Sequence, residues 1–311
     1  MTATVEHLST RQLVAQACRE GWVVPAFNIP YLPMMAPVVQ ALRDCRSMGL
    51  IMVARLEWVK FESGSIEAVA LEYEREKDER FTRLHLDHVP VIDEDLETID
   101  YASDIKRAID SGYESVMVDG SRLPFAENVA CTAEVVAMAH GAGIPVEAEL
   151  GAIMGHEDGP MPPYEELFAS GKGFTAPDEA ARFVRETDVD WLSVAIGSVH
   201  GAITAATRDK EKVAARLNLE HLAEIRAATN IPLVLHGGTG IRKEYIMGAI
   251  RGGIAKINVA TAIRQPYEKM LPSSFDAALH AVYEATVKTL TEDLDVTGTA
   301  DKLNAKETHH G

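Results

Sequence analysis

Three histidines, His88, His200 and His236, each end a short apolar run of this sequence, and Asp87, Asp119, Glu147 and Glu149 end or line others. Imidazole and carboxylate are the ligands a divalent transition metal takes. Three histidines around such an ion leave one coordination position open, which is what a Lewis-acid site needs to bind and polarise a carbonyl oxygen. Any one of these histidines taken alone reads as a hydrogen-bonded structural residue; three from different runs gathered at one mouth read as a metal site. His309 and His310 lie in a polar tail and read as solvated.

A second constellation is rich in glycine. His236-Gly237-Gly238-Thr239-Gly240 follows the seventh apolar run, and Asn258-Val259-Ala260-Thr261 follows the eighth. An isolated Gly-Gly is a turn, but beside a candidate metal ligand it reads as a phosphate cradle. Glycine lets backbone N–H groups approach an anion closely, and a following helix adds its N-terminal dipole.

The elements that must position these residues follow from the rhythm of the chain. Apolar runs at 23–27, 50–53, 83–86, 115–118, 145–150, 190–196, 232–235 and 255–259 lack strict alternation, as strands buried on both faces of a parallel sheet do. Helical patterns lie between them, among them 99–111, 126–141, 177–187 and 243–252, with Gly112, Gly143 and Gly253 where helices should stop. Eight strands alternating with helices predict an α/β fold, a (β/α)8 TIM barrel with a C-terminal helical extension, with a doubly wound open sheet as its rival. In a barrel the C-terminal strand ends build the site. Read in order, those ends offer Asn28, Asp87 and His88, Asp119, Glu147 and Glu149, His200, His236 and Asn258.

The connection over 151–175 has little periodicity and follows the fifth run, which makes it a lid candidate. The charged stretch 72–80 reads as a solvated helix face. Segment 275–290 has helical spacing and would cover the barrel or pack on a partner subunit. With no repeat and no Pro/Ser linker, the expectation is one domain over 1–311, its core about 22–270 and its helical extension about 275–291.

Composition bounds the partners. The 311 residues are 47% hydrophobic, enough for a full core, and 30 Lys+Arg against 47 Asp+Glu leave a net charge of −17. Such a surface disfavours nucleic acid and anionic membranes, while a locally positive pocket can still take an anion. Cys18, Cys45 and Cys131 are widely spaced and odd in number, which reads as a reducing compartment. No secretory leader and no apolar stretch of membrane-spanning length is visible, so a cytoplasmic protein is expected.

Six ordered motifs together resemble the class II, zinc-dependent ketose-bisphosphate aldolases, the family of fructose- and tagatose-bisphosphate aldolases. They are His85-Leu86-Asp87-His88, Ser115-Val116-Met117-Val118-Asp119-Gly120-Ser121, Val146-Glu147-Ala148-Glu149-Leu150-Gly151, Ala195-Ile196-Gly197-Ser198-Val199-His200-Gly201, Leu235-His236-Gly237-Gly238-Thr239-Gly240 and Lys256-Ile257-Asn258-Val259-Ala260-Thr261. The resemblance implies a lyase that reversibly splits a ketose (bis)phosphate into dihydroxyacetone phosphate and an aldehyde such as glyceraldehyde 3-phosphate. It implies His88, His200 and His236 as Zn2+ ligands and Glu149 as the ligand of an alternative metal position. Asp87 would be the acid/base at the C4 oxygen, Glu157 the lid carboxylate moving the C3 proton, and Asn258 the group orienting the enediolate. Gly201, Gly237, Gly238, Thr239 and Thr261 would hold the phosphate, beside which family members commonly bind a monovalent cation (Na+ or K+). Homodimers and homotetramers are usual in the family.

The sequence departs from the family's pattern in three places. Where relatives carry a small Ser-Gly segment after the second strand, this chain reads Ala54-Arg55-Leu56-Glu57-Trp58. Ala260 stands where fructose-specific members often have an acidic residue, and Thr239 replaces a serine. Asn28, Arg55 and Arg264 are the candidate contacts to the distal half of the substrate. Two alternatives follow: an aldolase with a non-bisphosphate aldehyde partner, and a metal- and sugar-phosphate-binding protein without turnover.

Overall fold

The computed structural model describes residues 8–151, 164–198, 215–238 and 240–306. The apolar runs form strands β1 (Val24–Asn28), β2 (Gly49–Ala54), β3 (Thr82–Pro90), β4 (Ser115–Asp119), β5 (Val146–Leu150), β6 (Trp191–Val194), β7 (Leu233–Leu235) and β8 (Ile254–Val259). Every neighbouring pair is parallel, and β8 pairs back onto β1, so the sheet closes into an eight-stranded barrel in sequence order. That closure decides against the open sheet.

Helices fill the connections. They are α1 (Thr10–Glu20), α2 (Met35–Asp44), α3 (Arg55–Lys60), α4 (Ile66–Glu76), α5 (Tyr101–Asp110), α6 (Phe125–Gly141) and α7 (Tyr164–Ser170). There follow α8 (Pro177–Thr187), α9 (Leu219–Thr229), α10 (Lys243–Arg251), α11 (Thr261–Met270), α12 (Phe275–Lys288) and α13 (Thr299–Lys306). The helical patterns at 99–111, 126–141, 177–187, 243–252 and 275–290 match α5, α6, α8, α10 and α12 to within a residue or two, and Gly112, Gly143 and Gly253 do follow their helices with positive φ.

One expectation is corrected. The stretch 151–175 contains α7, which is too short to show a helical period. Tertiary contacts hold it: the Phe168 ring meets Phe174 edge-on at 5.8 Å, and the Arg216 guanidinium stacks over Phe168 at 4.7 Å. Residues 152–163, where the lid expectation mainly falls, lie outside the described residues.

The barrel interior is layered by the alternation of strand side chains. At its base Val24, Ala26, Leu50, Met52, Trp191 and Val234 form an apolar plug with Leu13, Val14 and Ala17 of α1. Above that plug the inward positions turn polar: His85 and Asp87 on β3, Glu147 and Glu149 on β5, Lys256 and Asn258 on β8, all buried. Outside the barrel, α12 packs on α11 and α2. The chain after α12 is tied to the turn that follows α2, where Gly298 N–H donates to the Cys45 carbonyl and Ser47 Oγ donates to the Val296 carbonyl. The C-terminal helices therefore cover this chain's own barrel.

Candidate active site

A bulge in β3 builds the first half of the site. Leu86 pairs with Val116 and Val89 with Val118, so β3 carries one residue more than β4 over that interval. His88 takes up the excess with a φ of 28°. Adjacent residues of a regular strand point to opposite faces, whereas an extra residue with positive φ re-aims its side chain. Asp87 and His88 consequently bring ligand atoms to the same place, within 4.8 Å of one another and of His236.

Carboxylates back both imidazoles. His88 Nδ1 lies 3.2 Å from Asp119 Oδ2. His236 Nε2 lies 2.8 Å from Glu147 Oε1, and its Nδ1 lies 3.2 Å from Glu149 Oε2, which also accepts from the Ser193 hydroxyl at 3.2 Å. The two rings stand 4.5 Å apart between centroids at a steep mutual tilt. Burial pushes the His88 pKa down, but Asp87, the Asp119 hydrogen bond and Glu149 outweigh it and raise it to about 10. His236 shifts upward too: burial and His88 oppose this, and the bonds to Glu147 and Glu149 prevail. With Asp119, Glu147 and Glu149 set against the two imidazoles, this is a pocket of negative potential, which draws a cation. The nitrogen and oxygen donors of Asp87, His88 and His236, and of His88, Asp119 and Glu149, fit a divalent transition metal, with carboxylates orienting the imidazoles from behind.

Asp87 is fixed by two amides. Asn258 Nδ2 donates to its Oδ1 at 2.9 Å, and Asn28 Nδ2 donates to its Oδ2 at 3.0 Å. Burial raises the pKa of this carboxyl, yet His88, Lys256, His236 and His85 more than reverse the effect and hold it well below the usual carboxylate range. Asp87 is thus held in its carboxylate form.

Beneath it lies a charged layer. The Lys256 ammonium, fully buried, is 2.9 Å from Glu147 Oε2 and donates to Asn258 Oδ1 at 2.6 Å. That bond sets which way the Asn258 amide faces, so its NH2 is presented to Asp87. Burial opposes ionisation of Glu147, but Lys256 and His236 hold its pKa down to about 2. His85 is pushed down to about 3, first by burial and then by Lys256, and its Nδ1 pairs with Ser115 Oγ at 2.9 Å. Sequence reasoning gave no role to Lys256 or His85, and it named Asp119 and Glu147 only as polar residues at strand ends. The available signal was the two-residue alternation His85/Asp87, Glu147/Glu149 and Lys256/Asn258.

Of the residues expected to hold a phosphate, Gly237, Gly238 and Thr261 lie just after β7 and β8. Gly237 has a φ of 68°, a conformation that favours glycine. Gly238 is different. Among the described residues a methyl group there would meet nothing nearer than the Asn258 carbonyl at 3.9 Å and Ile257 at 4.0 Å, so their packing does not explain the absent side chain. Thr261 opens α11 behind Ala260, whose side chain cannot cap, so the helix N-terminus has no side-chain cap from that residue.

Directly after β2, α3 carries Glu57, which stands within the chain's departure from the family pattern. Its Oε2 accepts from Ala54 N–H at 2.8 Å and from Asn28 Nδ2 at 3.3 Å, and burial, with Asp87 nearby, raises its pKa to about 8. Arg55 faces Asp93 at 3.2 Å and Asp104 at 3.8 Å, while Arg264 faces Glu268 at 2.6 Å. The structure therefore gathers Asn28, Asp87, His88, Glu149, His236 and Asn258 at one mouth. His200, Gly201, Glu157 and Thr239 lie outside the described residues.

Comparison with known proteins agrees with this geometry. Residues 8–302 match the family model described as class II fructose-bisphosphate aldolase. The YdjI aldolase from Escherichia coli K12 is 27% identical, with 93% of this chain and 98% of that one covered and a TM-score of 0.73. A putative fructose-1,6-biphosphate aldolase from Coccidioides immitis is 28% identical, with 94% and 98% covered and a TM-score of 0.74. A fructose-bisphosphate aldolase from Campylobacter jejuni, 17% identical with 94% and 96% covered and a TM-score of 0.67, shares the fold.

A closed barrel with carboxylate-backed histidines at its C-terminal mouth is the framework of a metal-dependent carbon–carbon lyase. The chain belongs to the class II fructose-bisphosphate aldolase family and is an aldolase.

Proposed function

We propose that the protein is a zinc-dependent aldolase that reversibly cleaves a phosphorylated ketose into dihydroxyacetone phosphate and an aldehyde. The observation that carries this reading is Asp87, an ionised carboxylate held by two asparagines and set beside the His88/His236 pair. His88 and His236 would hold the metal with His200 as third ligand, and Glu149 is placed to take it in an alternative position. When bound there, zinc supplies a Lewis acid for the substrate's C2 oxygen.

The chain's own groups do the rest. Asp87 accepts the proton of the C4 hydroxyl as the C3–C4 bond breaks, and returns it in the synthetic direction. Asn258, its carbonyl oxygen held by Lys256, presents its NH2 to the reacting centre. Gly237, Gly238 and the start of α11 at Thr261 bind the phosphate through backbone N–H groups, with Gly201 and Thr239 completing the cradle. Glu157 moves the C3 proton. A mere binding protein needs no ionised carboxylate poised in this way, which favours turnover.

The same reading places the enzyme in the cytoplasm as a homodimer or homotetramer. Three free thiols at Cys18, Cys45 and Cys131 suit a reducing compartment, and among the described residues no helix is long and apolar enough to cross a membrane. The assay is release of dihydroxyacetone phosphate from a panel of ketose phosphates by the wild type and by Asp87→Asn. The wild type is expected to turn over, and the variant to lose roughly 100-fold or more in kcat. No release from any ketose phosphate with zinc added would contradict the proposal.

A further inference from the structure

Three neighbouring strands bring Asp87 and the residues around it together. Asn28 ends β1, Ala54 ends β2, and Asp87 on β3 is the register partner of Ala54. Asn28, Asp87 and Glu57 of α3 are all buried, so protein groups supply most of their hydrogen bonds.

The Asn28 amide is shared between two carboxyls. Its Nδ2 donates to Asp87 Oδ2 at 3.0 Å and to Glu57 Oε2 at 3.3 Å, which employs both hydrogens of the NH2 group. A side-chain amide can turn over and present its oxygen where its nitrogen stood. Turned over, the Asn28 oxygen would face two carboxyl oxygens and both bonds would be lost. Glu57 therefore adds a second bond that keeps the NH2 group toward Asp87.

Glu57 is itself anchored. It lies in the first turn of α3, and its Oε2 also accepts at 2.8 Å from the N–H of Ala54, the residue that precedes the helix. Burial raises its pKa to about 8, but Oε2 accepts from both N–H groups whether or not a proton sits on the other oxygen. The arrangement mirrors the other side of Asp87, where Lys256 takes the Asn258 carbonyl oxygen and leaves the NH2 group to Asp87. Each of the two asparagines is thus oriented from behind by an ionisable residue.

We propose that Glu57 is a positioning residue for carbon–carbon cleavage, fixing the Asn28 amide and through it the Asp87 carboxylate that takes the C4 hydroxyl proton. The inference rests on the aldolase reading and deepens it.

The test separates the step given to Asp87 from the step given to Glu157. One rate is kcat for cleavage of a ketose phosphate. The other is exchange of deuterium from deuterium oxide into dihydroxyacetone phosphate, at the carbon that becomes C3, which involves no C4 oxygen. Glu57→Met removes the acceptor and is expected to lower cleavage kcat about tenfold, with KM and the exchange rate within about twofold of the wild type. Glu57→Gln keeps an oxygen for Ala54 and Asn28 and should restore most of that loss. In an Asn28→Ala background, Glu57→Met should bring no further loss in kcat, because its effect passes through Asn28. If Glu57→Met does not fold, Glu57→Asp, whose carboxyl falls one methylene short of Asn28, gives the same comparison. An unchanged cleavage kcat, an equal loss of cleavage and exchange, no rescue by Glu57→Gln, or losses that add to that of Asn28→Ala each overturn the inference. No cleavage of any ketose phosphate by the wild type overturns the aldolase reading itself, and the inference with it.

Discussion

Asp87 depends on the residues beside and beneath it. Its two oxygens accept from Asn28 and Asn258, and Asn258 can present its NH2 only because Lys256 occupies its carbonyl oxygen. Lys256 also answers the charge of Glu147, which backs His236. Removing one partner of a buried ion pair leaves the other charged and unsolvated, which costs about 3–5 kcal/mol. Lys256→Met is therefore expected to lower unfolding free energy by an amount of that order and to reduce kcat as well, since the Asn258 amide is freed to turn. Denaturant unfolding and steady-state kinetics check both effects; a variant as stable and active as the wild type would show that the layer beneath Asp87 is dispensable. Asp87, His88, His236 and Asn258 were legible in the sequence because polar residues ending apolar runs stand out. Lys256 and His85 were not, because each sits inside a run, and only the inward register of the closed barrel shows that they line the same interior. Glu57 was visible only as a bulky acid in place of small residues; its bond to Asn28 depends on how α3 turns back over β2.

At the scale of elements, eight apolar runs sufficed for the barrel, because strands covered on both faces need only be apolar and regularly spaced. The β3 bulge was not legible. A positive φ at a histidine leaves no mark in composition, yet without it Asp87 and His88 would face opposite ways. α7 escaped for a different reason: seven residues give fewer than two turns, and its hold on the barrel comes from Phe168 against Phe174 and Arg216. The turn after β7 yields a prediction. Since an added methyl at Gly238 meets only ordinary contacts, Gly238→Ala should fold with an unchanged Tm but intrude on the bound phosphate. A rise in KM of roughly tenfold, equivalent to about 1.4 kcal/mol, is expected. Thermal unfolding alongside KM for the phosphorylated substrate decides the matter, and an unaltered KM would place the phosphate elsewhere.

The whole molecule separates stability from chemistry along the barrel axis. α1 closes the base with apolar side chains, and the polar layers begin only above that plug, so the N-terminal end secures the fold while the C-terminal end carries the site. The net charge of −17 belongs to the exterior. Inside, a fully buried Lys256 and two imidazoles stand among Asp87, Asp119, Glu147 and Glu149, an excess of negative charge that a divalent cation would reduce. The central claim is that this cation is required for turnover. The most direct measurement follows metal content by mass spectrometry and cleavage activity in the same samples, as a chelator strips the protein and zinc is returned. The account predicts that activity falls in proportion to the metal, reaches its limit near one ion per chain and recovers on addition of zinc. Full activity in protein shown to be free of metal would contradict it.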